Sequence, residues 1–196
     1  MTPPSVILAS ASPRRRELLT LVGIAHSVEP ADVDESIHDD EAPAVYAERL
    51  ARAKASAIGA SDDSSLTIGA DTIVVIDDRV LGKPRDRAEA AGMLRTLGGR
   101  THTVYTAVAV RRGRRTVSAV EHVAVTFRPL TDAAIASYID TGEPMDKAGA
   151  YGIQGFGATI VQRIDGDYFA VMGLPLGTLI ALMDQVGVRY DFGRLS

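Results

Sequence analysis

The sequence predicts an α/β protein, and three observations carry that prediction. Short apolar runs rich in β-branched residues alternate with segments whose apolar positions recur at helical spacing, the mark of interleaved strands and helices. Prolines stand at the starts of the helical segments and glycines at their ends, where each is tolerated best. Hydrophobic residues make up 46% and charged residues 23% of the 196 positions, which suits a folded domain and excludes disordered, collagen-like and low-complexity chains.

Val6-Ile7-Leu8-Ala9, bounded by serines, reads as a buried strand. Ser12 and Pro13 then open a helix, Leu18, Leu19, Leu21 and Val22 give it an apolar face, and Gly23 stops it. Asp32 to Glu41 is an acidic loop. A second helix runs from Pro43 to about Ile58, with Glu48 and Arg52 as an i,i+4 pair on its wet face. Leu66 to Ile76 reads as a strand, turning at Asp77-Asp78 into Val80-Leu81. After Gly82-Lys83-Pro84 comes a helix from about Asp86 to Leu97, ended by Gly98-Gly99. Thr103 to Val110 and Val117 to Phe127 form a hairpin across the basic turn Arg111 to Arg115. Thr131 caps a helix through Ile139, and a glycine-rich region follows from Gly142 to Gly157. Ala158 to Arg163 and Phe169 to Val171 read as short strands, and Leu174 to Val186 as the last helix. Neither a repeat nor a long linker divides the chain, so residues 1–196 are expected to be a single domain.

A net charge of −4 argues against a broad surface for nucleic acid. With no cysteine in the chain, disulfides, thiolate nucleophiles and cysteine zinc sites are excluded. Arg14 to Arg16 interrupt the first apolar run before it reaches signal-peptide length, and no run approaches a membrane span. The expectation is a cytoplasmic protein with no membrane partner.

Four places concentrate chemistry. At Ser10-Ala11-Ser12-Pro13-Arg14-Arg15-Arg16, hydroxyls and guanidiniums surround a helix N-terminus, which favours an anion such as phosphate. The plain alternative is a capped helix with its arginines in solvent. Asp71 stands in an otherwise apolar run, Gly69 to Val75. A carboxylate buried there needs a metal, a lysine or a catalytic role, unless the strand begins only after it. Lys54, Lys83 and Lys147 are the only three lysines, so each position is informative as a compact charge for phosphate or carboxylate. Glu143 to Gly155 gathers polar side chains among glycines that let backbone approach a ligand, and the Gln154 amide can read a base edge. Asp34-Glu35 is a solvated acidic pair or a ligand for a hard metal ion. The four histidines show no HxH or HExxH spacing, and neither GxSxG, GxxxxGK[ST] nor GxGxxG occurs.

ILASASPRRRELL (Ile7 to Leu19), GADTIVV (Gly69 to Val75), Gly82-Lys83-Pro84, GEPMDKAGAYGIQG (Gly142 to Gly155) and GLPL (Gly173 to Leu176), in this order over nearly the whole chain, together resemble the Maf family of nucleoside triphosphate pyrophosphatases. The resemblance implies an elongated mixed β-sheet flanked by helices, in two lobes with a central cleft, and a homodimer. It also implies hydrolysis between the α and β phosphates, releasing the monophosphate and pyrophosphate, with a divalent cation, Mg²⁺ or Mn²⁺. Arg14 after the proline, Thr72 after Asp71 and Gln154 in AYGIQG resemble the branch associated with dTTP and UTP rather than that associated with 7-methyl-GTP. Carried over position by position, Asp71 is the proton acceptor, and Arg14, Thr72 and Gln154 set specificity. Ser10, Arg15, Lys54 and Lys83 hold phosphates, while Glu35 and Asp71 hold the metal. Two rivals stand beside this reading. A nucleotide-sensing regulator of cell division or septum formation needs the same cradle without turnover. A nucleotidyltransferase needs a GxGxR loop near the N-terminus, which is absent.

Overall fold

The apolar runs become strands and the proline-led segments become helices in the computed structural model, which describes residues 4–58 and 63–196. In chain order these are β1 (Ser5–Leu8), α1 (Pro13–Leu21), β2 (Ser27–Val28), α2 (Pro43–Ala57), β3 (Ser65–Ile76), β4 (Arg79–Leu81) and α3 (Arg87–Leu97). There follow β5 (Thr101–Arg112), β6 (Arg115–Phe127) and α4 (Asp132–Asp140), then short 3-10 turns over Glu143–Asp146, Ala148–Ala150 and Gly155–Thr159. The chain closes with β7 (Val161–Asp165), α5 (Tyr168–Met172), α6 (Leu176–Gln185), β8 (Tyr190–Asp191) and β9 (Arg194–Leu195).

Among the described residues the main sheet has seven strands in the order β2-β1-β3-β5-β6-β7, with β4 also on β3. It is mixed: β1 pairs parallel with both β2 and β3, whereas β3–β4 and β6–β7 are antiparallel. Asp77 and Asp78 both take positive φ, 49° and 57°, the geometry of the two-residue turn that matches strand twist.

By contacts the chain divides into two units, one made of Met1–Asp71, Thr106–Glu121 and Gly173–Ser196, the other of Thr72–Tyr105 and His122–Met172. The long strands β3, β5 and β6 each give one part to each unit. Leu8, Leu18, Leu19, Leu50, Leu66, Ile68, Leu174 and Leu179 form the buried interior of the first. The second has its own core of Val74, Leu94, Leu97, Val123, Val125, Phe127, Ile135 and their neighbours. Inside that core His102 Nε2 and the Tyr151 hydroxyl lie 2.8 Å apart, while His102 Nδ1 is buried without a partner. Burial pushes the His102 ring down to a pKa of about 4.

Several expectations need correction. Phe169 to Val171 is not a strand but part of α5; the Asp167 carboxylate accepts the Phe169 N–H at 2.8 Å and starts a helix that aromatic and β-branched composition concealed. Ala158 to Arg163 is split between the last 3-10 turn and β7. Ser12 occupies the cap of α1 without a side-chain capping bond; its N–H instead donates to Ser10 Oγ at 3.2 Å. Glu48 and Arg52 do not form a plain solvent pair. Arg52 Nη1 donates to Ser118 Oγ at 2.8 Å, and that hydroxyl donates to Glu48 Oε1 at 2.7 Å, so β6 supplies a bridge between them.

Candidate active site

The site is built from Gly69 outward. Gly69 and Asp71 share a face of β3, because alternate residues of a strand point the same way. A Cβ on Gly69 would collide with the Ala51 carbonyl oxygen and lie 2.5 Å from the Ala55 nitrogen, so glycine is what lets α2 approach the strand this closely. Ala51, Lys54 and Ala55 lie on one helical face. Lys54 therefore leaves that contact beside Asp71, with Nζ 2.7 Å from Asp71 Oδ1 and 2.7 Å from Glu35 Oε1. Lys54 is 9% exposed and Asp71 8%, which resolves the open question about Asp71: it lies within the strand, buried, and paired. A carboxylate in this setting would be costly without its ammonium.

Arg15 braces the other side of Asp71. Its Nη1 donates to Ser10 Oγ and to the Ala70 carbonyl, and its Nε to the Gly173 carbonyl, each at 2.9 Å. Burial lowers the Arg15 pKa from its usual value, opposed by the charge of Asp71 and reinforced by Arg14. Three N–H groups committed to protein oxygens make Arg15 a tie between the Ser10 turn, β3 and the segment before α6. Arg14 is half-buried in the first turn of α1, where the peptide dipole favours negative charge.

Glu35 lies in the loop that the sequence presented only as acidic, and α2 holds that loop from below. Tyr46 donates its hydroxyl to the Glu35 carbonyl at 2.8 Å. Arg49 grips Glu41 with two bonds of 2.7 Å and reaches the Ser36 carbonyl at 2.8 Å. The forked contact with Arg49 holds the Glu41 carboxyl down to about 2. Tyr46 is raised in pKa, first by burial and then by the charges of Asp71 and Glu35.

Ser10, Arg15, Glu35, Lys54 and Asp71 thus come together within the first unit, with Arg14 at the same helix start. Thr72, Lys83 and Gln154 belong to the second unit. Thr72 is half-buried and follows Asp71 directly in β3, so its side chain leaves the opposite face of the strand. Lys83 is exposed, in a loop tied by the Gly149 N–H to the Gly82 carbonyl at 3.0 Å. Gln154 is exposed at the start of the 3-10 turn Gly155–Thr159 and does not cap it. Sequence reasoning missed Gly69, Tyr46 and Arg49 as supports of the site. The signal for Gly69 was available, since Ala51 and Ala55 are small residues four apart on a helix, the mark of close backbone packing.

Among the described residues no three histidine, aspartate or glutamate side chains form a metal-holding cluster. Glu35 and Asp71 are nevertheless two hard oxygen donors converging on one ammonium. That donor set fits Mg²⁺ or Mn²⁺, which take one or two protein carboxylates and complete their shell with phosphate oxygens and water.

A buried carboxylate paired with lysine, beside an arginine-braced serine at a helix start, defines an α/β protein equipped to place an acid–base group against an anionic substrate. Residues 5–186 match the family described as Maf-like protein, and the chain belongs to that family. It is 54% identical over 185 residues to a protein of Moorella thermoacetica named dTTP/UTP pyrophosphatase, covering 93% of this chain and 95% of the relative. Proteins of the same name from Symbiobacterium thermophilum and Bacillus pumilus are 50% and 48% identical, over 93% of this chain and 94% and 97% of their own lengths.

Proposed function

We propose that this chain is a nucleoside triphosphate pyrophosphatase that hydrolyses dTTP and UTP to the monophosphate and pyrophosphate. The observation that carries the reading is Asp71, buried within a strand and held 2.7 Å from the Lys54 ammonium that also binds Glu35. A binding-only regulator needs no proton acceptor, whereas water-dependent cleavage of a phosphoanhydride needs one in fixed geometry. The names of the relatives support the same substrates.

In this reading Asp71 accepts the proton of the attacking water. Lys54 keeps the Asp71 and Glu35 carboxylates in register and adds positive charge beside the phosphates. Glu35 and Asp71 hold the divalent cation, which when bound supplies charge neutralisation at the phosphoryl oxygens. Arg14, Ser10 and Lys83 contact the phosphates, and Arg15 fixes Ser10 and adds its charge. Thr72, Gln154 and Arg14 distinguish the base and its sugar-phosphate. A cytoplasmic homodimer completes the proposal; among the described residues no helix is long and apolar enough to cross a membrane.

The test is a panel of nucleoside triphosphates with Mg²⁺ or Mn²⁺ and identification of products. The expected result is the highest kcat/KM with dTTP and UTP, release of pyrophosphate, and loss of turnover on chelation. Release of orthophosphate would overturn the bond assignment. Preference for 7-methyl-GTP would overturn the substrate, and tight binding without hydrolysis would favour the regulator.

A further inference from the structure

Glu143 is half-buried and stands outside every role given above, yet both oxygens of its carboxylate are committed to hydrogen bonds, which come from three separate residues. Oε1 accepts the Tyr138 hydroxyl at 2.8 Å and the Gly157 N–H at 2.9 Å; Oε2 accepts the Phe156 N–H at 2.8 Å. The Tyr138 oxygen in turn accepts the Gly152 N–H at 3.1 Å. Lys147 closes the base of the loop, with Nζ 2.6 Å from the Glu143 carbonyl oxygen. One carboxylate and one phenol therefore collect the backbone N–H groups on both sides of Gln154.

The glycines in this stretch fit that arrangement. Gly155 has φ +63°, and a Cβ there would collide with Glu143 Oε2. A Cβ on Gly157 would collide with the Gly152 carbonyl oxygen and lie 2.5 Å from the Tyr138 oxygen. Glycine thus clears the space in which the carboxylate meets the backbone. Burial pushes the Glu143 carboxyl up, but the N–H of Gly157, the Tyr138 hydroxyl, the N–H of Phe156 and the charge of Lys147 leave it below its ordinary value.

We propose that Glu143, with Tyr138, is a positioning residue for base selection: it holds the Gly152–Gly157 backbone so that the exposed Gln154 amide is presented in one orientation to the pyrimidine edge. The proposal rests on the reading that Gln154 senses the base. Gln154 makes no capping bond of its own, so the backbone on either side fixes the point from which its side chain departs. An amide that must pair with a base edge discriminates only if it is held, because a mobile one adapts to the wrong partner.

Glu143→Gln replaces one acceptor with a donor facing either the Phe156 or the Gly157 N–H. Its kinetics are compared with those of Gln154→Ala, using dTTP, UTP, dCTP and dGTP. The expected result is a KM for dTTP and UTP raised roughly tenfold with kcat within about threefold of the parent. Discrimination against dCTP and dGTP should fall to the level of Gln154→Ala, and the double variant should be no worse than that single. Amide exchange at Phe156 and Gly157 should accelerate. If Glu143→Gln does not fold, Tyr138→Phe, which removes the oxygen shared by Gly152 and Glu143, is read in the same way. Loss of selectivity in Gln154→Ala with parent-like selectivity in Glu143→Gln overturns the positioning role and leaves base reading by Gln154 intact. Unchanged selectivity in Gln154→Ala overturns both. An equal fall in kcat for all four triphosphates marks a structural role and also overturns the proposal.

Discussion

Asp71 and Glu143 are both acids removed in part from water, and they are stabilised in opposite ways. Asp71 sits on β3 and is matched by a full charge, Lys54, from a helix 17 positions earlier in the chain. Around it Arg15 gathers carbonyls from Ala70 and, 158 positions away, Gly173. Glu143 is matched mainly by dipoles, two backbone N–H groups and a phenol, all from within 14 positions. Charge answered by charge leaves a buried carboxylate beside a second one, a setting that suits the proposed proton transfer and cation binding. Charge answered by backbone dipoles fixes the path of the chain, and that suits a loop that must present a neighbouring side chain.

The contrast is broken most severely at Asp71. Asp71→Asn keeps the shape and leaves Lys54 on Glu35, so the fold should persist while kcat falls by about 10² to 10⁴, the usual effect of removing a general base. Steady-state rates with dTTP, alongside circular dichroism, check this; activity within about threefold of the parent refutes the assignment. Lys54→Met attacks the same pair from its other side. It strands Asp71 without its ammonium and should cost about 3–5 kcal/mol of stability, as removal of one partner of a buried pair does. At this chain length that lowers Tm by roughly 10 °C. Adding Asp71→Asn to Lys54→Met should recover much of the loss, and equal melting of the two variants would show that the pair is not the cause.

A smaller effect tests the second unit. His102 has a folded pKa of about 4 against an ordinary 6.5, so the unfolded chain takes up its proton first as pH falls. The neutral ring's contribution is complete above about pH 6.5 and is lost progressively between there and pH 4, on the order of 3 kcal/mol in all. Denaturant melts of the parent between pH 7 and 4 should show this decline, and His102→Gln should flatten it. An unchanged slope in the variant would place the sensitivity elsewhere.

Most of the fold was legible because its signals are local. Pro13 and Pro43 begin α1 and α2, Asp86 and Thr131 cap α3 and α4 with bonds to the Glu89 and Ala134 N–H groups, and Gly23 follows the end of α1 at φ +71°. Val, Ile and Thr runs mark β3, β5 and β6. Two features escape such signals for different reasons. Asp167 is masked as a cap because Tyr168, Phe169 and Val171 carry strand-like propensity, and β-propensity yields to context. Glu48 and Arg52 read as a solvent pair because Ser118, their bridge, is 66 to 70 positions away.

The sequence by itself determined the alternation of strand and helix, the odd acid at Asp71, the scarcity of lysine and the glycine-rich approach to Gln154, since composition and short-range spacing suffice for each. Only the tertiary structure decided which of those residues meet. Gly69 admits α2 against β3, and that single close approach sets Lys54 between Asp71 and Glu35, three residues spread over 37 positions of sequence. Likewise, nothing in the run from Glu143 to Gly157 announces that one carboxylate collects the N–H groups on both sides of a turn. Pairing of buried charges and satisfaction of buried backbone groups are settled by geometry across the chain, and spacing along it does not encode them.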